Sequence, residues 1–243
     1  MSTVGIIQAR MGSTRLPGKV MKDLNGATML ERVVNRTRRA TMLTRVIVAT
    51  STEAADQAVV DLCKELGVPC FRGSESDVLD RYFQAAQSAS ADNIVRITSD
   101  CPLIDPSVID KTVHEFQKHK PDYASNTLLR RYPRGLDTEV FTLTGLERSW
   151  REAKDDYQRI HVTPYFYQHP EIFRLLPVTG EQDFSMHRWT VDTPEDLQFV
   201  REIYLRLGPG DEFGWMDVLG LLEREPTLAK INQSISQKAL HQG

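Results

Sequence analysis

Val4-Gly5-Ile6-Ile7-Gln8-Ala9-Arg10-Met11-Gly12-Ser13-Thr14-Arg15-Leu16-Pro17-Gly18-Lys19 joins a short apolar run to a loop of quite different character. Residues 4–7 read as a strand, and the loop after it gathers three cations in one turn of chain. Gly12 and Gly18 let backbone approach a ligand closely, Ser13 and Thr14 offer hydroxyl donors, and Arg10, Arg15 and Lys19 supply the charge-assisted bonds a polyphosphate needs. An anion site is the natural reading; a solvated basic turn is the plainer one. A Walker A loop would follow its lysine with Ser or Thr, whereas Val20 stands here. A G-x-G-x-x-G fingerprint is also absent, since Gly208-Pro209-Gly210 follows a helix and lacks the third glycine. P-loop NTPases and nicotinamide or flavin enzymes are thereby set aside.

Outward from the loop, short apolar runs alternate with segments of helical period, the pattern of an α/β layered fold with a mostly parallel sheet. Helices are expected at 28–40, with a basic outer face, and at 54–66, capped by the hydroxyls of Thr50-Ser51-Thr52 and stopped by Gly67. Further helices are expected at 76–90 and 107–119, and strands at 46–49, 70–71 and 94–98. From Tyr123 the rhythm becomes irregular, with strand candidates at 140–141, 172–178 and 189–191. Thr193-Pro194-Glu195-Asp196 has the signature of a helix start, continued to Tyr204; closing helices follow at 215–223 and 228–235, before a polar tail expected to fray. The chain thus divides into residues 1–122, an inserted part at 123–190, and a closing part at 191–243.

The bulk properties narrow the function classes. With 243 residues, 40% hydrophobic and 26% charged, the chain can bury a sizeable core, which excludes global disorder. Thirty Lys and Arg against 33 Asp and Glu give a formal charge of −3, too balanced for a non-specific nucleic-acid binder. Three cysteines without C-x-x-C spacing favour free thiols in a reducing cytoplasm over disulfides or a zinc knuckle. No apolar run approaches the roughly 20 residues that span a bilayer, and no basic-then-apolar leader opens the chain, so a cytoplasmic protein without a membrane partner is expected.

Two carboxylates end apolar runs. Asp100 follows 94–98 within Thr98-Ser99-Asp100-Cys101-Pro102, at the sheet edge where open α/β folds bind ligands and where Arg10 also lies. Asp192 ends Trp189-Thr190-Val191. Two such carboxylates beside a polyphosphate loop suit magnesium, which takes oxygen ligands and usually shares them with substrate phosphates. Helix N-capping also accounts for Asp192, and a turn role for Asp100.

Taken together, the loop at 7–19, Ser99-Asp100-Cys101-Pro102-Leu103 and Val191-Asp192-Thr193-Pro194-Glu195-Asp196-Leu197 resemble the cytidylyltransferases that activate acidic eight- and nine-carbon sugars. The likeness is nearest to the spore coat polysaccharide biosynthesis protein F family, related to acylneuraminate and 3-deoxy-manno-octulosonate cytidylyltransferases. It extends over residues 4–204 and includes Gly73-Ser74-Glu75-Ser76-Asp77-Val78-Leu79-Asp80-Arg81-Tyr82. The resemblance implies a Rossmann-like nucleotidyltransferase fold, a three-layer sandwich on a mostly parallel mixed sheet, and transfer of CMP from CTP to an acidic sugar with release of pyrophosphate. It implies Mg²⁺ held by Asp100 and Asp192, the triphosphate held by Arg10, Ser13 and Lys19 with Arg15 assisting, and close approach at Ala9 and Gly12. Arg72, Gly73, Ser74 and Arg81 would border base and ribose. Arg10, Lys19, Asp100 and Asp192 would carry the catalysis.

On the sugar side, Arg134-Gly135-Leu136-Asp137-Thr138-Glu139-Val140 and Arg159-Ile160-His161-Val162-Thr163-Pro164-Tyr165 resemble two further family segments. Arg134, Asp137, Glu139, Arg159, His161 and Tyr165 would meet the acceptor, an Arg matching its carboxylate fork; His161 and Tyr165, four apart, also suit packing of one helix face. Ile160 replaces the family's usual Glu, and Ser99 replaces the Gly before the metal Asp, a change that a negative φ absorbs. A homodimer is implied by resemblance alone. The rival readings are a transferase for another nucleotide or a sugar phosphate, and a non-catalytic nucleotide-binding module of a glycan pathway.

Overall fold

Apolar residues at 4–7, 46–49 and 94–98 fall alternately on two faces of one sheet, and that alternation builds two cores. A computed structural model describes residues 1–236; the expected fraying of the polar tail falls mainly on residues 237–243, outside the described residues. The strands are β1 (Thr3–Gln8), β2 (Arg45–Ser51), β3 (Cys70–Gly73), β4 (Asn93–Thr98), β5 (Tyr123–Ser125), β6 (Glu139–Thr142) and β7 (Leu175–Pro177). They form one sheet in the order β3-β2-β1-β4-β6-β5-β7. β1 pairs in parallel with β2 and β4, β2 with β3 and β5 with β7, while β6 runs antiparallel to β4 and β5.

The helices are α1 (Met29–Arg38), α2 (Gln57–Glu65), α3 (Val78–Ser88), α4 (Pro106–His119), α5 (Leu143–Glu152), α6 (Asp156–His161), α7 (Pro164–Gln168), α8 (Pro194–Leu207) and α9 (Trp215–Arg224). Ile7, Val46, Val48, Val95 and Ile97 pack with α1, α2, α4, α8 and α9 on one face. Val4, Ile6, Ile47, Ala49 and Ile94 pack with α3, α5 and α7 on the other. The result is the three-layer α/β sandwich on a mostly parallel mixed sheet. The chain moves from β1 to β2 and β3 on one side, then returns as β4 on the other. That reversal opens the crevice at the carboxyl ends of β1 and β4 where such folds bind ligands. No helix among the described residues is long and apolar enough to cross a membrane.

Several local expectations are corrected. The basic face of α1 is only partly an outer one: Arg38 and Arg39 are exposed, but Arg32 and Arg36 are buried and donate to Leu24 O, Asn25 O, Ile104 O and Phe213 O, while Arg39 reaches Asp211 O and Glu212 O. Ser51 does not cap α2 but pairs with Asp56. Residues 189–191 are not a strand; Arg188 makes one isolated bridge with Arg134, and Val191 N–H donates to Asp100 O at 2.8 Å, so the segment crosses the sheet's edge. The expected helix at 228–235 is a short 3-10 turn, Leu228–Ile231. β5 was not legible as a strand, and the strand expected at 172–178 is the three-residue edge strand β7, ended by Pro177.

Candidate active site

The loop after β1 is fixed at both ends before any ligand arrives. Leu16 and Val20 are buried, and Gly18 N–H donates to Met11 O at 3.2 Å. Gly18 sits at φ 63, a left-handed turn that directs the chain into Lys19 at low cost only for glycine. At the other end Met11 N–H donates to Asp56 Oδ1 at 2.6 Å. Burial opposes the Asp56 charge, but the Met11 amide and the Ser51 hydroxyl and amide outweigh it and hold this carboxyl below the usual range. Leu16 N–H donates to Ser13 Oγ at 3.4 Å, leaving the Ser13 O–H to donate elsewhere.

Beneath the loop, Lys19 Nζ donates to Asp100 Oδ2 at 3.1 Å, Asp192 Oδ1 at 2.9 Å and Val191 O at 2.8 Å. Burial disfavours the Lys19 charge, yet the Asp100 and Asp192 carboxylates more than offset it and raise the pKa above the usual lysine value. Burial likewise opposes ionisation of Asp100, but the Lys19 ammonium and the Thr98 hydroxyl, donating at 2.6 Å, bring it down to about 2. Arg15 reaches the other Asp192 oxygen at 3.0 Å. Ser99 does not have positive φ, so the side chain standing where the family has Gly is absorbed.

These groups line a cleft of about 900 Å³ with Arg10, Gly12, Ser13, Thr14, Glu75, Arg96, Arg134, Asp137 and His161. Its volume is that of a small-molecule site. Arg10 lies 3.6 Å from Glu75, both about half exposed, a weak pair that a phosphate displaces easily. Across the cleft, Arg134 N–H donates to His187 O at 3.0 Å and Trp189 N–H to Arg134 O at 2.7 Å. Gly135 has φ 110, and a Cβ there would stand 2.7 Å from Trp189 C, so this seam admits only glycine. Burial and the neighbouring Arg130 guanidinium push the Arg134 pKa below the ordinary arginine value. Its side chain makes no hydrogen bond or ion pair among the described residues. Asp137 is held by both Nη atoms of Arg130, at 2.6 and 2.8 Å. His161 is followed by Val162 at φ 72, ψ −53, with Thr163 N–H donating to His161 O at 2.9 Å. This is the strained γ-turn, rare for a β-branched residue.

The structure therefore brings Arg10, Gly12, Ser13, Arg15, Lys19, Asp100, Asp192, Arg134, Asp137 and His161 into one cleft. It places the other expected residues elsewhere. Ala9 is buried and donates to Ala49 O. Arg72 does not border the cleft; its guanidinium is spent on Ser51 O, Glu53 O and Gln57. Gly73 packs against Arg81, and Arg81 is fully buried, donating to Ser74 O, so none of these three faces the cavity. Arg159 is pinned by Asp77, Trp150 O and Ala153 O. Glu139 lies below the cleft floor, bound by Arg96, Tyr123 and Thr163. Tyr165 donates to Glu152 at 2.7 Å, outside the cleft. Sequence reasoning missed Arg96, Glu75, Asp56 and Arg188. An arginine inside an apolar strand was the available signal for Arg96; nothing local marked the others.

Among the described residues no group of three or more His, Cys, Asp or Glu side chains is placed to hold a metal. Asp100 and Asp192 together offer hard oxygen donors with a cation already between them. That donor set fits magnesium if phosphate and water complete the shell.

Residues 4–213 match the family described as Cytidylyltransferase. An uncharacterized protein of Methanocaldococcus jannaschii is 40% identical over 246 residues, 98% of each chain. The spore coat polysaccharide biosynthesis protein SpsF of Bacillus subtilis is 32% identical over 231 residues, 92% of this chain and 95% of its own. The solved structure of a cytidylyltransferase from Leptospira borgpetersenii superposes with TM-score 0.91 at 33% identity, covering 98% of this chain and 100% of that one.

Proposed function

The chain belongs to the cytidylyltransferase family, and from that premise we propose that it transfers CMP from CTP to an acidic sugar, releasing pyrophosphate, for surface polysaccharide synthesis. The observation that carries this reading is the Lys19 ammonium bridging Asp100 and Asp192 directly under a loop that presents Arg10, Ser13 and Arg15 to one cleft. Such a cluster binds a polyphosphate and neutralises charge as the leaving group departs. The sugar hydroxyl attacks the α-phosphorus in line and gives up its proton to water, its bond to phosphorus forming as the bond to the bridging oxygen breaks and pyrophosphate leaves. Arg15 and Lys19 exchange their carboxylate partners for phosphate oxygens, and the loop, anchored at Gly18 and Asp56, keeps them in place.

Asp100 and Asp192 would hold Mg²⁺, which when bound supplies further charge neutralisation at the triphosphate. Arg134, half-buried near Arg130 and Arg188 and without an ion pair of its own among the described residues, supports an acceptor that carries a carboxylate. The SpsF likeness supports a polysaccharide destination. The reading includes a homodimer, by resemblance, and a cytoplasmic location, which the three cysteines without C-x-x-C spacing support.

Thermal unfolding with CTP, UTP, ATP and GTP, each with and without Mg²⁺, tests the nucleotide half, because a ligand of the folded state raises stability with its concentration over Kd. A shift selective for CTP and enlarged by Mg²⁺ is expected. A larger shift with another nucleotide would move the activity to a different transferase.

A further inference from the structure

Arg188 lies behind Asp192, outside the cleft lining. Its Nη2 donates to Asp192 Oδ2 at 2.9 Å and to Asp196 Oδ2 at 2.9 Å, and its Nε donates to Asp196 Oδ1 at 2.9 Å. Asp196 is fully buried and also accepts Asp192 N–H at 3.0 Å, Thr193 N–H at 3.1 Å and the Asn232 amide at 2.9 Å. Asn232 donates as well to Arg188 O at 3.0 Å. Burial opposes the Asp196 charge, but Arg188 and Asn232 keep the carboxyl below the usual range. One planar guanidinium thus ties a buried anion to the carboxylate at the cleft, a fork that a lysine ammonium cannot reproduce.

Among the described residues Asp192 meets three cations, and they differ in kind. Arg15 and Lys19 belong to the phosphate loop and line the cleft, whereas Arg188 is only 10% exposed and anchored on Asp196. The first two are free to turn to a triphosphate; the third is not. Residue 188 is also the bridge partner of Arg134, so the same bond network joins the acceptor wall to Asp192.

We propose that Arg188 is a positioning residue for the cation site: anchored on Asp196, it holds the Asp192 carboxylate aimed into the cleft after Arg15 and Lys19 have left it for the nucleotide. This rests on the reading that Asp100 and Asp192 take a divalent ion. Groups that orient a metal's carboxylate ligand commonly set its affinity by about 10- to 100-fold.

The test is Mn²⁺ binding followed by electron paramagnetic resonance, with CTP present at saturating concentration, in the full chain and its variants. Arg188→Gln is expected to raise the half-saturating Mn²⁺ concentration by about 10-fold or more, while metal-free CTP binding changes less than twofold. Arg188→Lys is expected to recover only part of the loss. Should Arg188→Gln leave Asp196 unpaired and fail to fold, the double variant Arg188→Gln/Asp196→Asn removes both charges and is expected to show the same weakened Mn²⁺ binding. A folded variant, single or double, with the unmodified Mn²⁺ dependence overturns the proposal, whatever its melting temperature. If the unmodified protein itself binds no Mn²⁺ with CTP, the two-carboxylate metal reading fails first and this inference falls with it.

Discussion

Lys19→Met replaces the bridging ammonium with an apolar chain of similar length and leaves two carboxylates facing each other. Asp192 keeps Arg15 and Arg188, so the loss concentrates on Asp100, whose ion pair among the described residues is with Lys19. Asp100 is held at about 2 against an ordinary 3.8, and at 1.36 kcal/mol per pKa unit its favourable interactions exceed the cost of burial by roughly 2 kcal/mol. Lys19 makes the largest favourable contribution, with Thr98 next, so the variant should lose about 2 kcal/mol at pH 7, or about 4–8 °C of melting temperature for a chain of this size.

The sign follows from both partners. A carboxyl with depressed pKa stabilises the fold above its unfolded value of 3.8 and loses that contribution as pH falls toward 2. A lysine with raised pKa contributes fully below 10.5 and loses it as pH rises through its higher folded value. Urea unfolding of both proteins, followed by tryptophan fluorescence from pH 2.5 to pH 10, should therefore show a gap that is flat through the middle range and closes at acid pH. Equal stability at pH 7, or a gap undiminished at pH 2.5, would refute the electrostatic reasoning.

Asp100→Asn should lower pyrophosphate release by at least about 100-fold with an unchanged far-UV circular dichroism spectrum; full turnover would remove Asp100 from the site. Arg134→Ala should raise KM for an acidic sugar far more than KM for CTP, because Arg134 lines the cleft on the side proposed to take the acceptor. Equal effects on both substrates would assign it to the triphosphate instead. Gly135→Ala should destabilise the chain by about 1–3 kcal/mol in urea, since its Cβ has backbone at 2.7 Å and its φ is 110; unchanged stability would show that the seam can shift.

The layered architecture was legible because its determinants are local and periodic. Ile7 and Val4 point to opposite cores, Val48 and Ile47 likewise, and a period of two in buried parallel strands can be read without partners. The candidate phosphate loop stood out for a related reason: its cations, glycines and hydroxyls lie close together in sequence, and the chain's turn at Gly18 keeps them together. Roles that depend on distant partners were not. Arg72, Arg81 and Arg159 match the family's motifs by position, yet Ser51 O, Ser74 O and Asp77 claim them. The basic stripe of α1 looked solvated because nothing near it in sequence shows the carbonyls of 209–213 that it binds. Arg188 was invisible since it stands just outside the strand expected at 189–191, and only the crossing of 187–191 over the sheet edge sets it behind Asp192.

The proposed activity of this cleft is to join CMP to an acidic sugar. The most direct measurement is pyrophosphate release from CTP with Mg²⁺ and a panel of eight- and nine-carbon acidic sugars, with the nucleotide product weighed by mass spectrometry. Pyrophosphate is expected in step with a CMP-sugar for at least one acidic acceptor, and none for the same acceptor with its carboxyl reduced. Equal turnover of the reduced acceptor, or turnover only with a different nucleotide, would contradict the proposed activity.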